Sequence, residues 1–234
     1  MNLDISFAFE TLIQIIPGIP VTLGMALGAL LIAVPLGFLL ALIRVNKIFI
    51  IDKLAALYVS FVRGTPVVVQ IFLIYSALPA ILNQMIEANG WQLDAYSVPP
   101  VLYAILVFGF NTSTHLSEIF RSALLSVPKG QKEAAYTVGL NAFQAYRRII
   151  IPQALAVAAP SMCTASMNML KNTSLAYMMA VMDITGRAKA LAGVGYQYLE
   201  AYLDIFVMYL ILCLCVEKLF QIWEKRLLHY KITA

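Results

Sequence analysis

Four polar side chains recur at helical spacing inside an otherwise apolar stretch of the chain. Asn111, His115, Glu118 and Ser122 are separated by four, three and four residues, which places them on one face of a helix. A charge at the centre of a membrane span costs about 2.5–3.5 kcal/mol on insertion scales, so such a face indicates a function. It can line a polar pathway or a small-molecule site. Alternatively, Asn111 and His115 can hydrogen-bond to neighbouring helices and hold the bundle together.

A second polar cluster, Lys171, Asn172, Thr173 and Ser174, follows 22 uncharged residues. Its side chains offer hydrogen-bond donors for a carboxylate and acceptors for an ammonium, which are the groups that a zwitterionic solute requires. The short polar side chains can also satisfy a broken helix in a polar cavity. The alternative for Lys171 is a contact with the membrane interface at the external end of a span. Both interpretations are compatible with the sequence.

The remaining charged pattern on the first face is structural. Glu118 and Arg121 lie three residues apart, a spacing that predicts an ion pair within one helix. No catalytic motif accompanies these residues: the chain contains no Gly-x-x-x-x-Gly-Lys-(Ser/Thr) loop, no pair of His at metal-binding spacing and no nucleophile motif. We therefore expect no catalytic site, no metal site and no cofactor in this chain. Energy for any transport must come from a partner or from an ion gradient.

The composition assigns these residues to a membrane protein. Hydrophobic residues make up 62% of the 234 residues, charged residues only 12%, and the mean hydropathy is +0.84, far from the roughly 25% charged residues of a soluble domain. The charge-free stretches predict an all-α integral membrane domain covering residues 1–234. Its five predicted transmembrane helices cover about 12–43, 54–82, 98–121, 149–170 and 199–223.

The basic residues predict the orientation of these spans. Twelve of the sixteen Lys and Arg lie on one side, after the first span, around residues 121–148 and at the C-terminal end. That side should face the cytoplasm, which places the N-terminus outside and the C-terminus inside. Residues 83–97 and 186–195 are then predicted external loops, and Arg187 and Lys189 in the second are exceptions to the rule. Because the basic residues are scattered, we expect no nucleic acid partner.

A polar stretch on the predicted cytoplasmic side has a defined pattern of turns. Residues 131–138 can form a short helix, and Gly139 can supply the positive φ that ends it. Asn141, with Gln144 three residues later, predicts a capping box that starts a second helix. The stretch is either a docking element for another protein or an ordinary amphipathic hairpin.

Together these residues carry a resemblance to a known family. Glu133-Ala134-Ala135, then Gly139 and Ile149-Ile150-Ile151-Pro152, resemble the cytoplasmic Glu-Ala-Ala loop of ABC importer permeases. Three further segments resemble motifs of the polar amino acid (histidine/glutamine-type) branch and occur in the same order. These are Arg63-Gly64-Thr65-Pro66 with Gln70, Glu118-Ile119-Phe120-Arg121, and Lys171-Asn172-Thr173-Ser174-Leu175.

The resemblance implies the type I permease fold, with a cytoplasmic coupling loop at 126–151 that receives work from an ATPase. The implied ATPase-coupling residues are Glu133, Ala134, Ala135, Gly139, Arg147 and Pro152. The substrate-pathway residues expected from the clusters and the motifs are Gln70, Asn111, His115, Asn168, Lys171, Thr173 and Ser174. Where many relatives carry Asp, this chain has Asn172, and it has Ser122-Ala123 where Gly-Gly is common.

The resemblance also implies partners and a location. These are two ABC ATPase subunits that hold ATP and Mg²⁺, a second permease subunit, the same or homologous, an extracytoplasmic amino-acid-binding protein, and the lipid of a bacterial cytoplasmic membrane. The alternative is a stand-alone secondary transporter or channel for a small polar solute, and a membrane-embedded enzyme is a more distant third. Secondary transporters often show paired repeats, whereas no internal repeat is evident here. The segment around Asn172 resembles that of cystine systems, but the sequence does not identify the amino acid.

Overall fold

The computed structural model describes residues 4–227, so that His229 and Lys231 lie outside the described residues. Within them the secondary structure is entirely helical, with ten α-helices. These are α1 (Ile5–Ile15), α2 (Ile19–Val45), α3 (Ile51–Gly64), α4 (Val67–Ala88), α5 (Pro100–Ser126), α6 (Lys129–Thr137), α7 (Ala142–Ala145), α8 (Ile151–Asn172), α9 (Ile184–Gly195) and α10 (Tyr198–Leu227). Short 3-10 turns and one π-helical turn connect several of them. The predicted all-α class is confirmed.

Among the described residues, four helical stretches are long and apolar enough to cross a membrane, whereas the sequence predicts five spans. The four are Ile5–Val45, Val67–Ala88, Ala142–Met179 and Tyr198–Leu227. Helix α5 is not among them, although its 27 residues correspond to about 40 Å of helix. Its mean hydropathy is lowered by the polar residues that fill its middle. Fourteen of its residues are buried in this single chain, so α5 lies inside the bundle. On its polar face Asn111 is buried, whereas His115 and Ser122 are exposed.

The predicted second span, 54–82, consists of two helices in the structure, divided at the motif Arg63-Gly64-Thr65-Pro66, where an interruption of the span is predicted. Helix α3 ends at Gly64 and α4 begins at Val67, because Thr65 and Pro66 are extended, with ψ of 140° and 134°. Proline has no N–H to donate and disfavours a helical conformation in the residue before it. The break turns the chain next to the polar face of α5.

The predicted external loop 186–195 is wrong, because these residues form most of helix α9. Asp183 caps the helix by accepting a hydrogen bond from the Gly186 N–H at 2.8 Å. Ala188 and Ala192 on α9 are fully buried against Ile15 of α1 and residues of α10. The glycines of this stretch were misleading, since Gly186 is required for a close approach: an added Cβ would lie against the Val181 carbonyl oxygen.

Helices α2 and α5 form the most extensive helix pair of the fold. Small residues at the interface, Ala29, Ala33 and Gly37 of α2, let the two backbones approach closely. A Cβ on Gly37 would lie 2.8 Å from the Ser113 carbonyl oxygen. Gly24, also on α2, has no neighbour within 4 Å of a Cβ position. Close contact between α2 and α5 therefore depends on Gly37 and not on Gly24.

Gly37→Ala is expected to lower the stability of the folded protein, and Gly24→Ala is its matched control on the same helix. Overpacking of this kind costs about 1–3 kcal/mol, whereas alanine at an open helical position is neutral or stabilising by about 0.5–1 kcal/mol. Thermal unfolding of the purified protein in detergent measures both. Equal melting temperatures for the two variants would contradict the assignment of Gly37 to the interface.

Candidate functional site

A polar cavity of about 380 Å³ lies between α3, α5 and α8. The α5 side contributes the predicted face, with Asn111, His115 and Glu118 among the lining residues, and α8 contributes the predicted Asn168. The other lining residues are Arg63, Thr112, Ile119, Ser161, Thr164, Ala165, Met169 and Asn172. We call this space the polar cavity. Amide and hydroxyl groups on two facing helices can hydrogen-bond both the carboxylate and the ammonium of a small zwitterion.

One end of the polar cavity holds a cluster of four charged side chains. Arg44 donates from Nη1 to Glu118 Oε1 at 2.7 Å, and Arg121 donates from Nε to Glu118 Oε2 at 3.0 Å. Arg63 Nη1 lies 3.9 Å from Glu118 Oε1, which is beyond hydrogen-bonding distance. The predicted ion pair between Glu118 and Arg121 is therefore present, and Arg44 of α2 joins it. The cluster ties α2 to α5.

Gln70 holds the broken helix against the polar cavity. Its Nε2 donates to the Val62 carbonyl oxygen at 2.8 Å, the Thr65 carbonyl oxygen at 3.1 Å and Thr65 Oγ1 at 2.8 Å. These bonds satisfy carbonyl groups that the end of α3 leaves without helical partners. Gln70 Oε1 accepts from Asn111 Nδ2 at 3.0 Å. Gln70 thus sits next to the cavity and positions Asn111 within it.

The structure places the second predicted cluster beyond the end of the polar cavity. The Lys171 side chain is exposed, Ser174 is half-buried, and neither lines the cavity. Thr173 is fully buried, with its hydroxyl 3.3 Å from the Tyr209 hydroxyl. It belongs to the 3-10 turn Thr173–Met179 that continues α8. Of the four residues of this cluster, only Asn172 contributes to the cavity wall.

Thr173 takes part in a buried hydrogen-bond network that joins three helical elements. Tyr209 of α10 donates to Asp183 Oδ2 at 3.2 Å, and Asp183 Oδ1 accepts from the N–H of Gly186. Burial of the Asp183 carboxyl raises its pKa from 3.8 to about 6. The folded protein therefore holds the Asp183 proton more tightly than the unfolded chain does.

This shift predicts a pH dependence of stability that Asp183→Asn should remove. Because the pKa of Asp183 is higher in the folded state, its contribution to stability is complete below about pH 4 and is lost as the pH rises through about 6. A shift of this size corresponds to about 3 kcal/mol. Melting temperatures measured between pH 4 and 7 should fall more steeply for the wild type than for the variant, whose amide can still cap α9. Parallel curves would show that Asp183 does not titrate in this range.

The predicted cytoplasmic stretch folds as a helical hairpin, residues 129–145, made of α6, α7 and their connecting turn. Gly139 has a φ of +80°. The Leu140 N–H donates to the Ala135 carbonyl oxygen and the Gly139 N–H to that of Tyr136, at 3.1 and 3.0 Å. This is the Schellman pattern that ends a helix at glycine. Asn141 and Gln144 form the predicted capping box, with bonds of 2.9 and 3.0 Å.

The hairpin presents a mixed surface on its outer side. Glu133 and Ala134 are exposed, Ala135 is buried in the hairpin, and Val138 and Phe143 expose 75% and 70% of their surface. The hairpin therefore presents an exposed carboxylate together with two strongly exposed apolar side chains. Within residues 4–227, Glu133 makes no salt bridge and is available to a partner.

Arg147 and Pro152 lie where the hairpin joins the membrane helix α8. Arg147 is exposed and lines an apolar groove next to the hairpin. Pro152 falls in the first turn of α8, directly after a π-helical turn at Tyr146–Ile150. Proline has no N–H to donate to the preceding turn, which accounts for a change of helical geometry at this point. The junction continues without a loop, so movement of the hairpin can reach α8.

Two polar residues of the α8 wall, Ser161 and Thr164, are not among the predicted site residues. With the predicted Asn168 and with Asn172 they are spaced three, four and four residues apart, so helical periodicity indicates the full polar face of α8. The sequence identifies Arg63 only as part of a family motif. Its position in the cavity wall depends on the break after α3.

Comparison with known proteins identifies relatives of the whole chain. Residues 33–229 match the family model described as "Binding-protein-dependent transport system inner membrane component". The chain is 39% identical over 218 residues to the "Probable amino-acid permease protein YxeN" of Bacillus subtilis (strain 168), covering 93% of this chain and 92% of that protein. It is 37% identical over 209 residues to the "L-cystine transport system permease protein TcyL" of the same organism, covering 89% and 85%.

Structures of ABC transporters match the fold of this chain. The fold superposes on the "Crystal structure of an amino acid ABC transporter with histidines" with a TM-score of 0.78 at 29% identity, covering 97% of this chain and all of the other. An inward-facing structure of the MetNI methionine ABC transporter matches with a TM-score of 0.64 at 16% identity, covering 96% of each chain. At that identity, the second match supports the fold alone.

Proposed function

Because this chain belongs to the family of binding-protein-dependent transport system inner membrane components, we propose that it forms the membrane pathway of an ATP-driven amino acid importer. The chain is a multi-pass transport subunit and not an enzyme, and its family implies a separate ATPase and a substrate-binding protein as partners. The observation that carries the choice of substrate class is the polar cavity between α5 and α8, with its facing amide and hydroxyl groups. Relatives named as amino acid permeases support the same class.

In this proposal, Asn111, His115 and Asn168 line the substrate pathway, and Gln70 orients Asn111 within it. Lys171, Thr173 and Ser174 act at the end of α8, beyond the cavity. Their substitution should alter transport through the position of α8. The change between outward- and inward-facing states then moves α8 relative to α5.

The hairpin at 129–145 is proposed to be the part that receives work from the ATPase. Its exposed Glu133 offers a carboxylate to basic or backbone donors on that subunit, and Val138 and Phe143 offer apolar contacts. Movement of the hairpin passes through Arg147 and Pro152 into α8. The full assembly would contain two ATPase subunits that bind ATP and Mg²⁺, two permease subunits, one binding protein and surrounding lipid.

Reconstitution in liposomes tests the proposal. The permease, its ATPase and its binding protein should together take up a radiolabelled amino acid only when ATP and Mg²⁺ are supplied on the ATPase side. Uptake that continues without ATP and follows an ion gradient would indicate a secondary transporter instead. Failure to copurify with any ATPase would contradict the importer.

The proposed orientation places the N-terminus outside and residues 129–145 in the cytoplasm of a bacterial cell. We predict that an impermeant thiol reagent labels Gln92→Cys on intact cells and labels Thr137→Cys only after the cells are opened. The test requires replacement of the three native cysteines, Cys163, Cys213 and Cys215, by serine. Labelling of Thr137→Cys but not Gln92→Cys on intact cells would invert the topology.

A further inference from the structure

The charged groups around the polar cavity are mainly of one sign. Among the described residues that line it, Glu118 is the only carboxylate, and both of its oxygens are engaged by Arg44 and Arg121 at 2.7 and 3.0 Å. Arg63 lies 3.9 Å from the same carboxylate and exposes 46% of its side chain. Three guanidinium groups against one carboxylate leave two positive charges at this end of the cavity.

We propose that the polar cavity selects amino acids with neutral or acidic side chains against those with cationic side chains, and that Arg63 is the specificity-determining residue. This inference rests on the proposed function, because it concerns the substrate class of the same cavity. The Arg63 guanidinium can donate two parallel hydrogen bonds to a substrate carboxylate. Its donors remain available because the only nearby carboxylate among residues 4–227, that of Glu118, lies 3.9 Å away and hydrogen-bonds to two other arginines.

A cationic side chain finds no counter-charge in this cavity. The remaining polar residues of the wall, such as Asn111, Thr164 and Asn168, are neutral and hydrogen-bond a donor or an acceptor equally well. His115 is either neutral or positive, so its protonation adds to the positive charge and never offsets it. Like charges that lie closer together than the Debye length, about 8 Å at physiological ionic strength, still repel one another. Discrimination by charge therefore follows from the residues present.

Equilibrium binding of radiolabelled glutamine, glutamate and lysine tests this inference, because the three probes differ mainly in side-chain charge. The measurement uses the permease and ATPase complex in nanodiscs without the binding protein, so that the permease alone determines the preference. Glutamine and glutamate should bind at least tenfold more tightly than lysine. Arg63→Gln should reduce this preference below threefold, and Arg226→Gln, which removes the same charge from the exposed end of α10, should leave it unchanged.

The ratio of affinities separates specificity from structural damage, since a distorted cavity would weaken all three probes together. Arg63→Lys keeps the charge and should keep the preference against lysine. Asn168→Asp adds a carboxylate to the opposite wall and should strengthen lysine binding by about tenfold relative to glutamine. If lysine binds the wild type as tightly as glutamine, or if Arg63→Gln keeps the full preference, this inference is wrong while the proposed function stands. If the wild type binds none of the three probes, the proposed function itself fails at this cavity.

Discussion

Gly139→Val should lower uptake per ATP hydrolysed by more than tenfold while the permease still assembles in the membrane. Gly139 has a φ of +80° at the end of α6, where a β-branched residue is strongly disfavoured. The substitution forces the turn to open and removes the bonds from Leu140 and Gly139 that end the helix. The hairpin is then displaced from any surface that it docks on, and movement of the ATPase no longer reaches α8.

Glu133→Ala should act in the same direction with a smaller effect, because it removes one side chain and leaves the hairpin in shape. A charge-assisted hydrogen bond is worth about 1.5–3 kcal/mol, which corresponds to roughly a 10- to 150-fold change in the occupancy of the docked state. Reconstitution with the ATPase and the binding protein, with ATP hydrolysis and uptake measured in the same vesicles, gives the ratio directly.

Gly90→Val provides the matched control for Gly139→Val. Gly90 also has a positive φ, +69°, but it lies in the connection between α4 and α5, on the predicted external side. Strain there should lower thermal stability by a similar amount without altering the ratio of uptake to ATP hydrolysis. If Gly139→Val and Glu133→Ala both keep the wild-type ratio, residues 129–145 are not the coupling element.

The sequence predicted the elements whose signals are local. The end of α6 at Gly139 and the capping box of Asn141 and Gln144 were both predicted, because each depends on residues within one turn. The loop predicted at 186–195 was wrong for a physical reason. Its glycines indicate a loop in isolation, whereas in the fold Gly186 permits a close approach of α9 to Val181. Only the tertiary contacts distinguish the two cases.

About half of the residues that line the polar cavity are predicted from the sequence. The face of Asn111, His115 and Glu118 follows from helical periodicity alone. The approach of Arg63 depends on the break at Thr65 and Pro66 and on the bonds that Gln70 makes across it, which connect residues of two helices. The contact of Arg44 with Glu118 spans 74 positions in the chain, so no local pattern could indicate it.

Glu118→Ala should destabilise the protein by about 3 kcal/mol, the lower end of the range for breaking a buried ion pair. The lower end applies because about a quarter of the Glu118 side chain is exposed. The substitution leaves Arg44, Arg63 and Arg121 facing one another without a counter-charge next to an apolar bundle. It also removes the polar connection between α2 and α5, whose other contacts are apolar or between small residues.

A double substitution separates the lost charge balance from the lost volume. Arg44→Met combined with Glu118→Met should be less destabilising than Glu118→Met alone, since it removes one of the unpaired cations together with the anion. Glu87→Ala, which removes an exposed carboxylate at the end of α4, should change the melting temperature by less than the error of the measurement. Thermal unfolding in detergent measures all four variants. If Glu118→Ala unfolds at the same temperature as Glu87→Ala, the cluster contributes nothing to stability. Solvent, and not Glu118, then offsets the repulsion between the three arginines.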